Sequence, residues 1–386
     1  MIPLGLSSGD LKLFNQSLST HHSVKITVQL LSLTHAYLGD LTSRLLDGQV
    51  SIDADAEITR SLTMQLNDPD HTLQLDSTAP TDGAMFYDRM IKVVYSVKSE
   101  LLPRWVDVPL FVGPITRMKR TADVVEVEAQ GKEALLAPPA VAWKSHTFGK
   151  GWKRSSLVRS ILGTYGGETK FSIPDFGATT PGPVSMTVET NLWQLAKAVN
   201  GSFATRVIFY DGRGVLVMRN RPRSAVWTYK TGPGGNITTV PVVDYDISAV
   251  RNVVLVKGAV PKGKKTPLTG AMGLPSTHPL NHNRMGRPGA PRVLLEVIND
   301  DNMKTVAQAK ALAKKRVTSL ALESIDVQFS ALVAPHLEPH DIYVVKTPDA
   351  TLTARYVQAT IPLRSAVGTV GYLTRRNPNK ARIRKR

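Results

Sequence analysis

The stretch nearest to a recognisable chemical motif runs from Gly258 to Thr266, where Gly258, Gly263, Lys264 and Thr266 almost reproduce the glycine-rich loop that cradles phosphates. It follows the strand-like run Val253–Val256, as such loops do. The match fails on physical grounds. Lys265 displaces the hydroxyl that should reach a magnesium ion, and Pro267, Gly270 and Gly273 prevent the helix whose N-terminus must face the phosphates. A solvated basic loop is the expectation. A close histidine pair, His336 and His340 with Glu338 between them, has metal-like spacing, but Pro339 breaks the helical turn that would aim both rings at one ion. An exposed loop between strands is expected there. Asp53, Asp55 and Glu57, and likewise Asp244 and Asp246, could imitate a glycosidase pair or a calcium loop. The first group alternates with Ile52, Ala54, Ala56 and Ile58, which predicts acids on the outer face of a strand. No Gly-x-Ser-x-Gly elbow is present. No catalytic, cofactor-binding or metal-binding residue is therefore assigned, and the expectation is a protein that is not an enzyme and needs no cofactor.

The remaining chemistry is charge. The chain carries 48 Lys or Arg against 31 Asp or Glu, a formal charge of +17. Seven of the cations, Arg375, Arg376, Lys380, Arg382, Arg384, Lys385 and Arg386, crowd the last twelve residues without an acid. Six more lie in Gly258–Arg292, again without an acid, and setting both segments aside leaves +4 for everything else. The body is nearly balanced, so the excess belongs to two appendages. The terminal run is a candidate partner-docking arm, and Lys262, Lys264, Lys265, Arg284 and Arg287 form a candidate assembly loop.

At 386 residues the chain outgrows a single hydrophobic core, and an apolar fraction of 42% supplies material for two to four packed units. It has no cysteine, which removes disulfides, thiolate metal sites and cysteine nucleophiles together. No apolar run approaches the roughly 18 residues of a membrane span. The first residues lack the pattern of a secretion signal, so synthesis in a cytoplasm and no integral membrane association are expected.

The elements that must position these residues read as mostly β. Ser23–Leu31, Arg89–Val97 and Asp107–Arg117 are rich in β-branched residues, the last with an internal Gly-Pro break. Ile58–Leu66 alternates with Leu62, Met64 and Leu66 on one face, and Val124–Ala129 sets Val125 and Val127 opposite Glu126 and Glu128. Together these predict a first β-barrel or sandwich over 22–137, after an N-terminal arm over 1–21. From 138 to 239 the pattern mixes helices over Ser155–Leu162 and Thr190–Ala198 with a hairpin turning at Asp211–Gly214, an inserted α+β domain. A second β-barrel domain is expected over 240–373. It holds a helix at Met303–Leu320 and strands at Ile325–Leu332, Ile342–Lys346, Thr351–Thr360 and Val367–Leu373. Within it, 258–292 has twelve Gly or Pro in 35 residues and is expected as an extended loop. Residues 374–386 make a basic C-terminal arm. The fold class is thus β-rich α+β, two β-barrel or sandwich domains with a small α+β domain inserted.

The series Leu45–Asp70, Val108–Leu136, Thr190–Gly201, Asp246–Gly258 and Ala307–Thr347 resembles, in order, the tail hub or minor tail proteins of long-tailed phages of actinobacteria. More distantly it is similar to baseplate hub and late-control-D type proteins. That resemblance implies a structural tail-tip protein of a virion. It implies a homotrimer whose two related barrels make a pseudo-sixfold ring between a hexameric tail tube and a threefold tip. The partners would be distal tail, tail tube, tape measure and tip or fibre proteins, with DNA passing only through the channel. Two other functions remain open on the residues alone. A tail-associated cell-wall hydrolase predicts converging carboxylates or a metal within 140–235. A nucleic-acid binder would use the basic loop and tail.

Overall fold

In the computed structural model the described residues are 1–75, 85, 88–180, 182–200, 206–244, 250–261, 263, 265–300, 303–320, 325–348, 350–364 and 367–374. They form a β-rich α+β protein with large antiparallel sheets. The chain divides into two compact units. The first comprises Met1–Pro241, Phe329–Tyr343 and Tyr356–Gly371; the second comprises Val242–Gln328, Val344–Arg355 and the residues from Tyr372 on.

The first unit opens with helix α1 (Ser8–Ser17), capped by the Ser7 hydroxyl, which accepts from the Asp10 N–H. Its strands β1 (Ser23–Ser32), β2 (Tyr37–Asp40), β3 (Leu45–Asp53), β4 (Arg60–Asn67), β5 (Arg89–Lys98), β6 (Val106–Thr121) and β7 (Val124–Gln130) pair in the order β3-β4-β7-β6-β5-β1-β2, all antiparallel. Strand β4 alternates as its sequence predicts: Leu62, Met64 and Leu66 are buried and the residues between them are exposed. Val125, Val127 and Ala129 of β7 are likewise buried, while Glu126 and Glu128 face outward opposite Lys119 and Arg117. Strand β6 is long because it serves two neighbours. Its first half pairs with β5 through Pro114, and its second half pairs with β7 from Ile115 on, with a register shift by Arg117. The Gly-Pro break read from the sequence is this change of partner.

The same unit contains β8 (His146–Phe148), α2 (Arg154–Arg159), β9 (Phe171–Ser172), β10 (Val184–Met186), α3 (Leu192–Asn200), β11 (Arg206–Tyr210), β12 (Leu216–Asn220) and β13 (Ala225–Lys230). Both expected helices are present, and α2 runs on into a π-helical turn over Ser160–Tyr165. They bury Leu157, Val158, Ile161, Leu162, Leu192, Trp193 and Ala196 against Ile208, Tyr210, Leu216 and Met218 of the β11–β12 hairpin.

In the second unit β14 (Val242–Asp244) pairs with β18 (Ile325–Leu332). Strands β15 (Val253–Lys257), β16 (Thr269–Gly273) and β17 (Leu295–Asn299) form a three-stranded sheet. After the short α4 (His282–Met285) comes α5 (Val306–Leu320), whose Ala309, Ala313 and Val317 pack on Val254 and Val256. Thr305 and Gln308 cap α5 reciprocally: the Thr305 hydroxyl accepts from the Gln308 backbone N–H, and the Gln308 side-chain Oε1 accepts from the Thr305 backbone N–H. The segment 258–292 is thus not the extended loop its composition predicts. Gly270 shows why, since a Cβ there would lie 2.5 Å from the Lys310 backbone nitrogen. That glycine permits β16 to approach α5 closely, whereas composition alone reads glycine as slack. Of the remaining strands, β20 (Thr351–Arg355) belongs to the second unit and β21 (Gln358–Pro362) to the first, while β19 (Ile342–Lys346) and β22 (Val367–Thr374) have residues in each. The single strand expected over Thr351–Thr360 is broken at the buried pair Tyr356 and Val357.

Candidate functional site

The densest polar cluster lies in the first unit, and its centre is Arg60. Strand alternation carries the inward face of β4 from Leu66, Met64 and Leu62 back to position 60, so a guanidinium occupies a core position and is only 4% exposed. It is fully engaged. Its Nη2 donates to Glu338 Oε2 at 2.5 Å and its Nη1 to the Leu110 carbonyl at 3.0 Å. The other carboxylate oxygen of Glu338 accepts from the Gly212 N–H at 3.2 Å, in the β11–β12 turn. The Glu338 N–H donates to Asp341 Oδ2, and Asp341 Oδ1 accepts from Arg219 of β12 at 2.9 Å. Burial raises the Glu338 carboxyl against the pull of Arg60. His336 sits between the rings of Phe14 and Trp227, and burial lowers it to about 3, so its imidazole is neutral.

The segment 336–341 is therefore buried, which corrects the exposed loop expected from its charges and proline. Its acids have cation partners far away in sequence, 278 positions in the case of Arg60, and no local pattern announces them. Arg60 itself is the residue the sequence reading missed. Its signal was present: a cation standing in register with three apolar residues of an alternating strand.

A second buried pair is Lys132 with Glu168, at 2.7 Å. Glu168 also accepts from the Tyr210 hydroxyl at 2.8 Å and from the backbone N–H groups of Thr169 and Lys170. Burial pulls the Glu168 carboxyl upward, but Lys132 and these donors outweigh it and the net shift is downward. Burial lowers the Lys132 ammonium, with Glu168 opposing. Asp175 is held by Lys153 at 2.6 Å, and Asp211 by Arg213 at 2.7 Å. Within 140–235 the carboxylates of Glu168, Asp175 and Asp211 are thus each paired with a cation of their own. Among the described residues no group of three or more His, Asp or Glu side chains is placed to hold a metal ion.

The acidic trio at 53–57 is not the outer face of a strand. Strand β3 ends at Asp53, whose Oδ1 accepts from the N–H groups of Asp55 and Ala56 in a turn. Glu57 instead meets the start of α3, where Gln194 and Asn191 donate to its carboxylate and hold it below its usual range, and Trp193 Nε1 donates to its carbonyl at 2.9 Å. Asp244 lies in β14, and Asp246 falls outside the described residues. Of the candidate assembly loop, Lys265, Arg284 and Arg287 are exposed, while Lys262 and Lys264 lie outside the described residues, as does the whole run Arg375–Arg386. No helix among the described residues is long and apolar enough to cross a membrane.

The fold has counterparts among solved structures. The 43 kDa tail protein of a Shewanella oneidensis prophage matches 90% of this chain and 98% of its own, with a TM-score of 0.58 and 8% identity. A tail protein from Neisseria meningitidis matches 92% and 97%, with a TM-score of 0.56 and 11% identity. The chain has a phage tail protein fold. A prophage tail protein from Listeria monocytogenes agrees, covering 90% of this chain and 94% of its own, with a TM-score of 0.53 and 11% identity. No family model and no curated protein matches the sequence. The likeness thus resides in how the strands and helices are arranged, since sequence identity has fallen to a level at which only the fold is shared.

Proposed function

We propose that the chain is a structural subunit of a phage tail tip, a hub whose work is assembly. The observation that supports this reading is the extent of the likeness. It covers 90–92% of this chain and 94–98% of each of three tail proteins. Under this reading three copies close a ring by heterologous contacts that rotate into one another, so each subunit presents two different faces. The ring would join the tail tube and distal tail proteins to a threefold tip or fibre and surround the passage for DNA, as a virion component. The domain plan is two β units with the helix-bearing segment 138–239 inserted between them, and the basic arm from Arg375 to Arg386 docks a neighbour.

Light scattering on the purified chain, and an image of the particle that counts copies around the tail axis, test the reading. The expected results are a mass three times that of the chain and threefold occupancy of the tip. A stable monomer absent from the particle, or a two-fold dimer, would overturn it. Deleting 375–386 is expected to weaken assembly; a flattened salt dependence of DNA binding would instead assign the arm to nucleic acid.

A further inference from the structure

The β1–β2 hairpin, strands β5 and β6, and the β11–β12 turn enclose a cleft of about 500 Å³ within the first unit. Its polar rim is cationic. Lys92 of β5, Lys170 and Arg213 line it, and none of its lining residues is acidic. Arg213 is committed to Asp211, which takes both its Nε and Nη2 donors. Lys92 and Lys170 have no ion-pair partner among the described residues, which leaves both charges uncompensated by any of them. Beneath them Lys132 is neutralised by Glu168 and also lies 3.1 Å from His35 Nε2. His35 is held neutral, its pKa lowered to about 4 by burial and by Lys132 and Lys170. The histidine carries a second sign. It sits at the hairpin tip with φ of 68°, a left-handed backbone that side chains other than glycine adopt at a cost of about 1–3 kcal/mol and that concentrates at functional sites.

The floor of the cleft is of a different kind. Leu31, Pro109 and Val112 form an apolar wall, and Tyr37 stands beside it, 60% exposed. A phosphate backbone has no use for such a wall, because nucleic-acid binding rests on cations spread along an open surface. Two free ammonium groups above an apolar floor instead match a peptide that offers carboxylates and an apolar side chain together, the pairing of charge and buried anchor found in protein interfaces. We propose that this cleft is a docking site for an acidic, apolar segment of a protein partner. The partner's carboxylates meet Lys92 and Lys170, and an apolar side chain enters against Leu31, Pro109 and Val112. The assignment deepens the tail-subunit reading, on which it rests only for the partner being a protein.

The test uses the full chain and a fluorescein-labelled decapeptide that alternates glutamate with leucine, followed by anisotropy. The double variant Lys92→Glu, Lys170→Glu is expected to bind at least about tenfold more weakly than the parent, since reversing rim charges places like charges together. The variant Lys92→Gln, Lys170→Gln falls between, and the parent's affinity drops as salt is raised. A control that reverses two exposed lysines elsewhere, Lys12→Glu with Lys150→Glu, changes the net charge equally and keeps the binding. Circular dichroism melting of each variant separates loss of binding from loss of fold. Three results would overturn the proposal: no binding by the parent, equal binding by the Lys92 and Lys170 variant, or displacement of the peptide by a ten-nucleotide single strand that needs the same two lysines. None of these measurements uses assembly, so their failure removes the cleft assignment while copy number at the tail tip still decides the tail reading.

Discussion

Arg60 and Glu338 form a buried ion pair at 2.5 Å, both side chains under 5% exposed, and it joins the inward face of β4 to a loop 278 positions later. Each partner is also hydrogen-bonded to backbone, Arg60 to the Leu110 carbonyl and Glu338 to the Gly212 N–H. Desolvating two charges offsets most of their attraction, so the pair contributes little against an apolar pair of equal volume; removing one partner strands the other. Glu338→Ala is expected to destabilise the protein by about 3–5 kcal/mol in denaturant unfolding. The double change Arg60→Met, Glu338→Leu should recover most of that loss. If the double variant is as unstable as the sum of the single ones, the coupling does not exist.

Glu133 supplies a pH prediction of definite sign. Its carboxyl is fully buried and burial raises its pKa, with Arg60 too weak an influence to reverse the shift. The folded chain therefore holds this proton more tightly than the unfolded chain does. The stability it contributes is complete below the ordinary carboxylate range and is lost as pH rises through the raised folded value. Glu133→Gln keeps the neutral form at every pH, so the variant should melt higher than the parent at pH 8 and at the same temperature at pH 4. A lower Tm at pH 8 would show that the ionised carboxylate is the form the core accommodates.

Asp68 has the opposite sign. Its side chain is wholly buried, and although burial pulls its pKa up, the N–H groups of Leu73 and Thr72, the Thr72 hydroxyl and Arg120 bring it below the usual value. Arg44 adds a salt bridge at 2.9 Å. Its contribution is present above the unfolded pKa and lost as pH falls through the depressed one. Asp68→Asn should cost about 2–3 kcal/mol at pH 7, the scale of hydrogen bonds to a charged group, and progressively less in acid. A constant difference between parent and variant from pH 7 to pH 2 would remove the carboxylate from this role.

Where the sequence was legible, the cause was local. The alternation of Leu62, Met64 and Leu66 and the reversal at Asp211–Gly214 each follow from the period of their own element, and each is found where it was expected. The helical spacing of Val306, Ala309, Ala313, Val317 and Leu320 likewise predicts one apolar stripe; Ala309, Ala313 and Val317 are buried, while Val306 at the helix start is exposed. The polar clusters were opaque because their meaning depends on partners brought together by the fold. His336–Asp341 has the composition of a surface loop and becomes interior only because Arg60 and Arg219 reach it. Asp53–Glu57 alternates like a strand but turns, because Asp53 caps its own backbone. Likewise Lys92 and Lys170 are unremarkable in sequence, lying 78 positions apart, and acquire a shared role only at one cleft.

Gly113 marks the point where β6 leaves β5 for β7, and its lack of a side chain is what permits the change. A Cβ at this position would lie 1.8 Å from the Gln130 carbonyl oxygen and 2.8 Å from its carbon, both backbone atoms at the end of β7 that cannot swing aside. An added methyl must therefore push two strands apart rather than rotate a neighbour, a strain of the overpacking kind. Gly113→Ala should destabilise the protein by about 1–3 kcal/mol or more, although alanine ordinarily suits folding better than glycine through its lower unfolded-state entropy. Hydrogen exchange is the more telling measurement, because displacement at this corner should release the β6–β7 amides near Ile115 and Ala129, which pair across it, while those of the α2–α3 region remain protected. Unchanged exchange together with an unchanged or raised Tm would mean that the two strands are not in contact at Gly113, and that the long strand changes partner for another reason.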